Sequence, residues 1–201
     1  MIEEKIIRRT TALCETKLNA VNLFRGINEH ALSTINYYMG LLPYEPKKFE
    51  NLDKKVRGVL AKFQITRRAS NMERLYLKRN RMGRGLVNLV DKAELMILNL
   101  YRKMNSQPNT KDLIVQEKHM ASHLGLIEEF IKNKYGLVDD EVSLQNIRKI
   151  QEEKKIEAIK SKTMHSILFT DDDNVFDQKF STLWLTKGNI LGKQEEMMAK
   201  L

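Results

Sequence analysis

The chain is predicted to be mainly α, a helical bundle carrying one small basic β-hairpin near residues 74–86. Three observations predict it. Only three prolines and nine glycines occur in 201 residues, so long segments run without a helix breaker. Apolar residues, within a hydrophobic share of 42%, recur at helical spacing along most of the chain. One stretch, "RLYLKRNRMGRGL" from Arg74 to Leu86, instead alternates apolar and charged residues and then meets two glycines.

Taken in order, Ile6, Ile7, Leu13, Leu18, Val21 and Phe24 predict a helix over 3–24, with Gly26 interrupting it. A second helix over 28–42 passes through Ala31, Leu32, Ile35, Tyr38, Met39 and Leu42 and stops at Pro43 and Pro46. "KKFENLDKKVRGVLAKF" places Phe49, Leu52, Val56, Val59, Leu60 and Phe63 on one stripe. Lys48, Lys54, Lys55, Arg57 and Lys62 take other positions, which makes an amphipathic helix with a basic face. Over 74–78 the period becomes two. Leu75 and Leu77 point one way; Arg74, Tyr76 and Lys78 point the other. Gly83 and Gly85 supply the positive-φ freedom of a tight hairpin end. Helix resumes over 88–104, with Leu89, Val90, Ala93, Ile97, Leu100 and Tyr101 inward. "NSQPN" at 105–109 is the clearest loop and divides the chain into a basic region with the hairpin, 1–104, and a helical linker region, 105–201. The second region reads as a helix over 110–135 closed by Gly136, a helix over 143–164 capped by Ser143, a turn at "TDDDN" (170–174), and short helices near 177–185 and 193–200.

The net charge of +9 is unevenly placed. Residues 1–100 hold 19 Lys/Arg and 10 Asp/Glu, whereas residues 101–201 hold 16 of each. Lys62 to Arg84 contain eight bases and one acid, Glu73. Such a patch attracts polyanions, with nucleic acid the first candidate partner and an anionic membrane surface the second. No apolar run reaches the roughly 18 residues a membrane span needs. The opening "MIEEKIIRRTTAL" has no apolar signal-peptide core. The single cysteine, Cys14, excludes an internal disulfide and fits a reducing compartment, where it reads as an ordinary helix residue. An intracellular protein of nucleus or cytoplasm, without a membrane partner, is expected.

The candidate contacts to nucleic acid are Lys54, Lys55 and Arg57 on the basic helix, Arg67 and Arg68 after it, and Arg74, Tyr76, Lys78, Arg79, Arg81 and Arg84 in the hairpin. Cations around an aromatic ring hold phosphates while the ring stacks on a base or sugar. A solvated hairpin is the alternative reading of the same pattern. Other motifs are weaker. "LFTDDDNVF" (168–176) places Phe169 before Asp171 and Asp172, like the carboxylate box of a polymerase, but no matching third carboxylate is visible upstream. It is no calcium loop, since Phe176 and Thr182 occupy the sixth and twelfth positions. His119 and His123, four apart, would share a helical face, but neither a third ligand nor the glutamate of a metalloprotease helix accompanies them; His30 and His165 stand apart. Trp184 reads as a core anchor. No nucleophile–base pair and no phosphate loop is found, so no catalytic residue, metal or cofactor is expected.

Three segments then carry a resemblance: "NLFRGINEHALSTINYYMGLL", "NLDKKVRGVL" and "MERLYLKRNRMGRGL". They resemble the region following the reverse transcriptase domain of non-LTR retrotransposons that encode a zinc knuckle and a restriction-like endonuclease. Asp53, Arg57, Arg74, Leu75, Tyr76, Leu77, Arg79, Gly83, Arg84, Gly85 and Leu86 fall on matching positions. Lys78 stands where that family has proline, and Met82 where it has the first glycine of a pair. "MHSILFTDDDNVFDQKFSTLWLTKGNILGKQEEMMAKL" resembles the segment before the zinc knuckle. The resemblance implies the thumb and linker of an RNA-directed DNA polymerase whose catalytic aspartates lie upstream of the matched region. Such a module is non-catalytic and holds template RNA or an RNA/DNA primer–template duplex, with a polymerase domain elsewhere in the parent protein or on another chain. A helical scaffold, a retroelement relic that binds no nucleic acid, is the alternative.

Overall fold

A computed structural model describes residues 2–39, 45–67, 71–120, 122–162 and 178–198, with the side chains of Asp140, Gln178 and Lys179 also left undescribed. Arg68, His165 and the Asp171–Asp172 pair lie outside the described residues. The protein is mainly helical, as its composition predicts.

Helix α1, Ile2–Cys14, has Glu3 and Glu4 in its first turn, where carboxylates complement the helix dipole. It buries Ile6 and Thr10. The single helix expected over 3–24 is divided, because Asn19 starts a new one: its side chain accepts from the backbone N–H of Asn22 at 2.9 Å and caps α2, Ala20–Gly26. The chain continues through Gly26 into a π-turn, Ile27–Ala31, and a 3-10 segment, Leu32–Tyr37. Pro46 opens a 3-10 turn that leads into α3, Phe49–Lys62. Its buried stripe is Phe49, Leu52, Val56 and Leu60; Val59 and Phe63 are half-buried.

The hairpin expected at 74–86 does not form, and no strand occurs among the described residues. Asn71 caps a short helix instead, α4, Met72–Tyr76, by accepting from the N–H groups of Glu73 and Arg74. A 3-10 turn at Arg79–Arg81 follows. The segment still folds back on itself. Arg84 N–H donates to Arg74 C=O at 3.0 Å, Gly85 N–H to Leu77 C=O at 2.8 Å and Leu86 N–H to Leu75 C=O at 3.0 Å. Leu75 and Leu77 are buried as the alternation predicts, yet Arg74 is buried with them. The glycines also divide their work differently from the expectation. Gly85 has φ +77°, but the other left-handed residue is Met82, at φ +61°. Gly83 is required by contact, since a Cβ there would sit 2.1 Å from the Leu77 carbonyl oxygen. Met82 and Leu77 pack with Ile159 and Ile156.

Helix α5 spans Leu89–Ser106. The long helix expected over 110–135 is two helices, α6, Pro108–His119, and α7, Ile127–Tyr135. A turn separates them, and it packs Gly125 so closely that a Cβ would lie 2.5 Å from the Lys118 nitrogen. Gly136, at φ +67°, closes α7. A 3-10 turn, Asp139–Glu141, precedes α8, Leu144–Lys160, where Ser143 accepts from Asn146 N–H at 3.0 Å. Three short helices close the described chain: α9, Gln178–Ser181, α10, Leu183–Lys187, and α11, Gly192–Met198.

These elements form two compact units. Unit 1 comprises Met1–Thr34, Asp53–Asn88 and Glu152–Leu201; unit 2 comprises Ile35–Leu52 and Leu89–Gln151. Unit 1 is built on Ile6, Leu23, Phe24, Ile27, Leu60 and Leu77. Unit 2 is built on Ile35, Leu89, Ala93, Leu98, Ile127 and Ile131. No helix among the described residues is long and apolar enough to cross a membrane.

Candidate nucleic-acid interface

Within unit 1, residues 53–88 hold eleven Lys/Arg against two acids, Asp53 and Glu73. The fold sorts the ten of these cations that are described, all but Arg68, into three sets. The first is internal. Arg84 is 4% exposed, and its Nε donates to Glu195 at 2.7 Å. Its Nη1 donates to Glu196 at 2.7 Å and to the Ile65 carbonyl at 2.6 Å, and its Nη2 to the Gly192 carbonyl at 3.0 Å. Arg79 donates to Glu195 at 2.6 Å and to the Leu185 carbonyl at 2.7 Å. Both guanidinium groups also lie against the buried ring of Phe24, at 5.4 Å for Arg79 and 4.8 Å for Arg84. Arg74 donates from Nε to the Met82 carbonyl at 2.9 Å. Burial and the neighbouring Arg84 charge lower its pKa, against the raising effect of Glu196 and Glu195. Arginine suits this place because its planar fork of donors satisfies several acceptors at once without shedding its charge.

The second set is paired but near the surface. Arg57 Nε donates to Asp53 at 3.2 Å, and the Tyr76 hydroxyl donates to the same buried carboxylate. Lys78 pairs with Glu152 at 2.7 Å, and exposed Lys55 pairs with Glu3. Pairs of such exposed lysines contribute little to stability and leave the cation available to a stronger anion. The third set is exposed: Lys54 and Lys62 on α3, Arg67 after it and Arg81 in the 3-10 turn after α4.

Arg57, Lys62 and Arg67 line a cleft of about 380 Å³, floored by Gly58 and Ala61. Among the described residues no acid lines it. Gly58 sits in the middle of α3, and a Cβ built on it would meet nothing within 4 Å. Glycine at a helix interior costs about 0.5–1 kcal/mol relative to alanine, and no neighbour here requires it.

The arrangement separates residues that the sequence pattern groups together. Arg74, expected to point outward, is buried on the Met82 carbonyl, and Arg79 and Arg84, candidate contacts of the same stretch, face Glu195, Glu196 and Phe24. The Tyr76 ring is half-buried and its hydroxyl is engaged. Lys54, Lys55, Arg67, Lys78 and Arg81 are exposed, and Arg57 is partly so. Sequence reasoning named Phe24 only as an apolar helix position and gave Glu195 and Glu196 no role; the signal present was two adjacent acids on α11 in a chain whose basic excess lies elsewhere. It also passed over Gly58. The two histidines do not share a helical face: His119 ends α6 and His123 lies in the turn beyond it. His123 packs on Phe130 at 5.8 Å, and its pKa is lowered mainly by burial. No group of three or more potential metal ligands occurs among the described residues. Cys14 ends α1, its thiol pKa pushed up to about 12 by burial first and Glu15 second. No protein-family model, curated protein or solved structure matches the chain.

Proposed function

We propose that this protein is a non-catalytic nucleic-acid-binding module, a thumb and linker of the retroelement reverse transcriptase kind, holding template RNA or a primer–template duplex through phosphates. One observation carries the reading. The whole net charge of +9 belongs to unit 1, and Lys54, Lys55, Lys62, Arg67, Lys78 and Arg81 remain exposed there after the buried arginines have met their glutamates. Backbone geometry supports the resemblance at its two departures. Lys78, in place of the family's proline, has φ −60°; Met82, in place of its glycine, has φ +61°. Those are the conformations that proline and glycine favour.

Phosphate contacts release counterions, so affinity depends steeply on salt. Six contacts predict a loss of about a thousandfold between 50 and 200 mM salt. Filter binding of RNA and duplex across that range tests the proposal. Replacing Lys54, Lys55, Lys78 and Arg81 together by glutamine weakens binding and flattens the salt slope. Unchanged affinity and slope sink it. The second reading, a helical scaffold, is favoured by one observation: three of the cations that best fit the resemblance, Arg74, Arg79 and Arg84, are spent on internal contacts.

A further inference from the structure

We infer that the Gly58 cleft is the place where one unpaired strand enters the protein, with a phosphate held between Arg57, Lys62 and Arg67. The inference rests on the nucleic-acid reading above and narrows it to single-stranded polynucleotide.

The cleft combines two linings. Its cations come from α3 and the turn after it, and Met72 and Leu75 of α4 add an apolar wall. Met72 is 46% exposed, an apolar side chain standing beside three cations. Arg57 Nη1 contacts its sulfur, so cation and apolar wall adjoin directly. A phosphate alone gains nothing from such a wall. A nucleotide in a single strand presents a phosphate and an unstacked base face together, and a polarizable thioether is a good surface for an aromatic ring. A duplex hides its base faces by stacking and offers the wall no matching group. Gly58 completes the argument. Glycine is the poorest helix former after proline, and open space surrounds this one, so packing gives no reason for its presence. A missing side chain at the floor lets a ligand backbone approach the helix between the flanking cations.

Fluorescence anisotropy on the full chain, with a labelled single-stranded oligonucleotide and a duplex of the same sequence, tests this. Gly58→Leu fills the floor without altering charge, and Gly58→Ala serves as the control for folding. Both raise the melting temperature, which shows that the fold is kept. Gly58→Leu is expected to weaken single-strand binding roughly tenfold and duplex binding much less. Equal single-strand affinity for Gly58→Leu and the unsubstituted chain overturns the inference, as does an equal loss for strand and duplex. If Gly58→Leu has no effect while the Lys54/Lys55/Lys78/Arg81 variant loses affinity, the cleft fails and the binding reading stands. If the unsubstituted chain binds neither probe, both fail.

Discussion

Each unit buries charge, but in opposite ways. In unit 1, Arg79 and Arg84 meet Glu195 and Glu196, so two full cations face two full anions inside the fold. In unit 2, Glu94 is fully buried and accepts from the Lys134 ammonium, from the Tyr135 hydroxyl at 2.6 Å and from Gln151 Nε2 at 3.0 Å. Burial, then the Glu94 carboxylate, hold the Tyr135 phenol well above its ordinary range. The cation paired with Glu94, Lys134, has a side chain that is 37% exposed. The difference is one of reversibility. Lys134 can turn to water when its partner is removed, whereas Arg84 is enclosed and cannot.

Removing one side of each cluster therefore gives unequal losses. Arg84→Met takes the guanidinium from buried Glu196 and leaves Glu195 with Arg79 alone, and is expected to cost about 3–5 kcal/mol, read as a fall in the urea midpoint. Arg84→Lys recovers little of it, because a point charge does not reproduce four directed contacts. A loss below about 1 kcal/mol would mean that Glu195 and Glu196 reach solvent, and the contrast would collapse. Glu94→Gln keeps the shape, leaves Lys134 to solvent and weakens two neutral donors, for a smaller cost of about 1–3 kcal/mol.

The smallest effect is a pH slope in unit 2. His123 has a folded pKa below its ordinary 6.5, through burial first, opposed by Glu45 and aided least by Lys48. The unfolded chain therefore binds the proton more readily. Stability from this group is fully present above pH 6.5 and is lost as pH falls from there through the folded value. Melting temperatures between pH 7.5 and 5 are expected to fall on acidification, and His123→Leu removes that part of the slope. No change in slope in His123→Leu would show that the ring is solvated.

Helical character was legible because it rests on local spacing, and Leu75 and Leu77 were rightly placed inward for the same reason. The strand at 74–78 was misjudged because five residues cannot separate period two from a short helix end. Asn71, an N-cap two residues before Glu73, was the local sign that went unread. The break at 120–126 was hidden because it follows from Gly125 packing on Lys118, a contact between backbones rather than a pattern of side chains. The outward placement of Arg74, and the reading of Arg79 and Arg84 as surface contacts, met the fold for another reason. Their charge suits a wet surface equally well, and what holds Arg79 and Arg84 inside are Phe24, Glu195 and Glu196, far away along the chain.

That distance has a consequence for synthesis. Glu195 lies 111 residues after Arg84. A ribosome adding about 5–20 residues per second delivers it roughly 6–20 s after the arginine. During that interval the nascent 74–86 loop carries its guanidinium groups without the carboxylates that later enclose them. The loop thus has two successive electrostatic lives, first as an open polycation beside the ribosomal RNA and then as a neutralised core, and the arrival of α11 marks the passage between them.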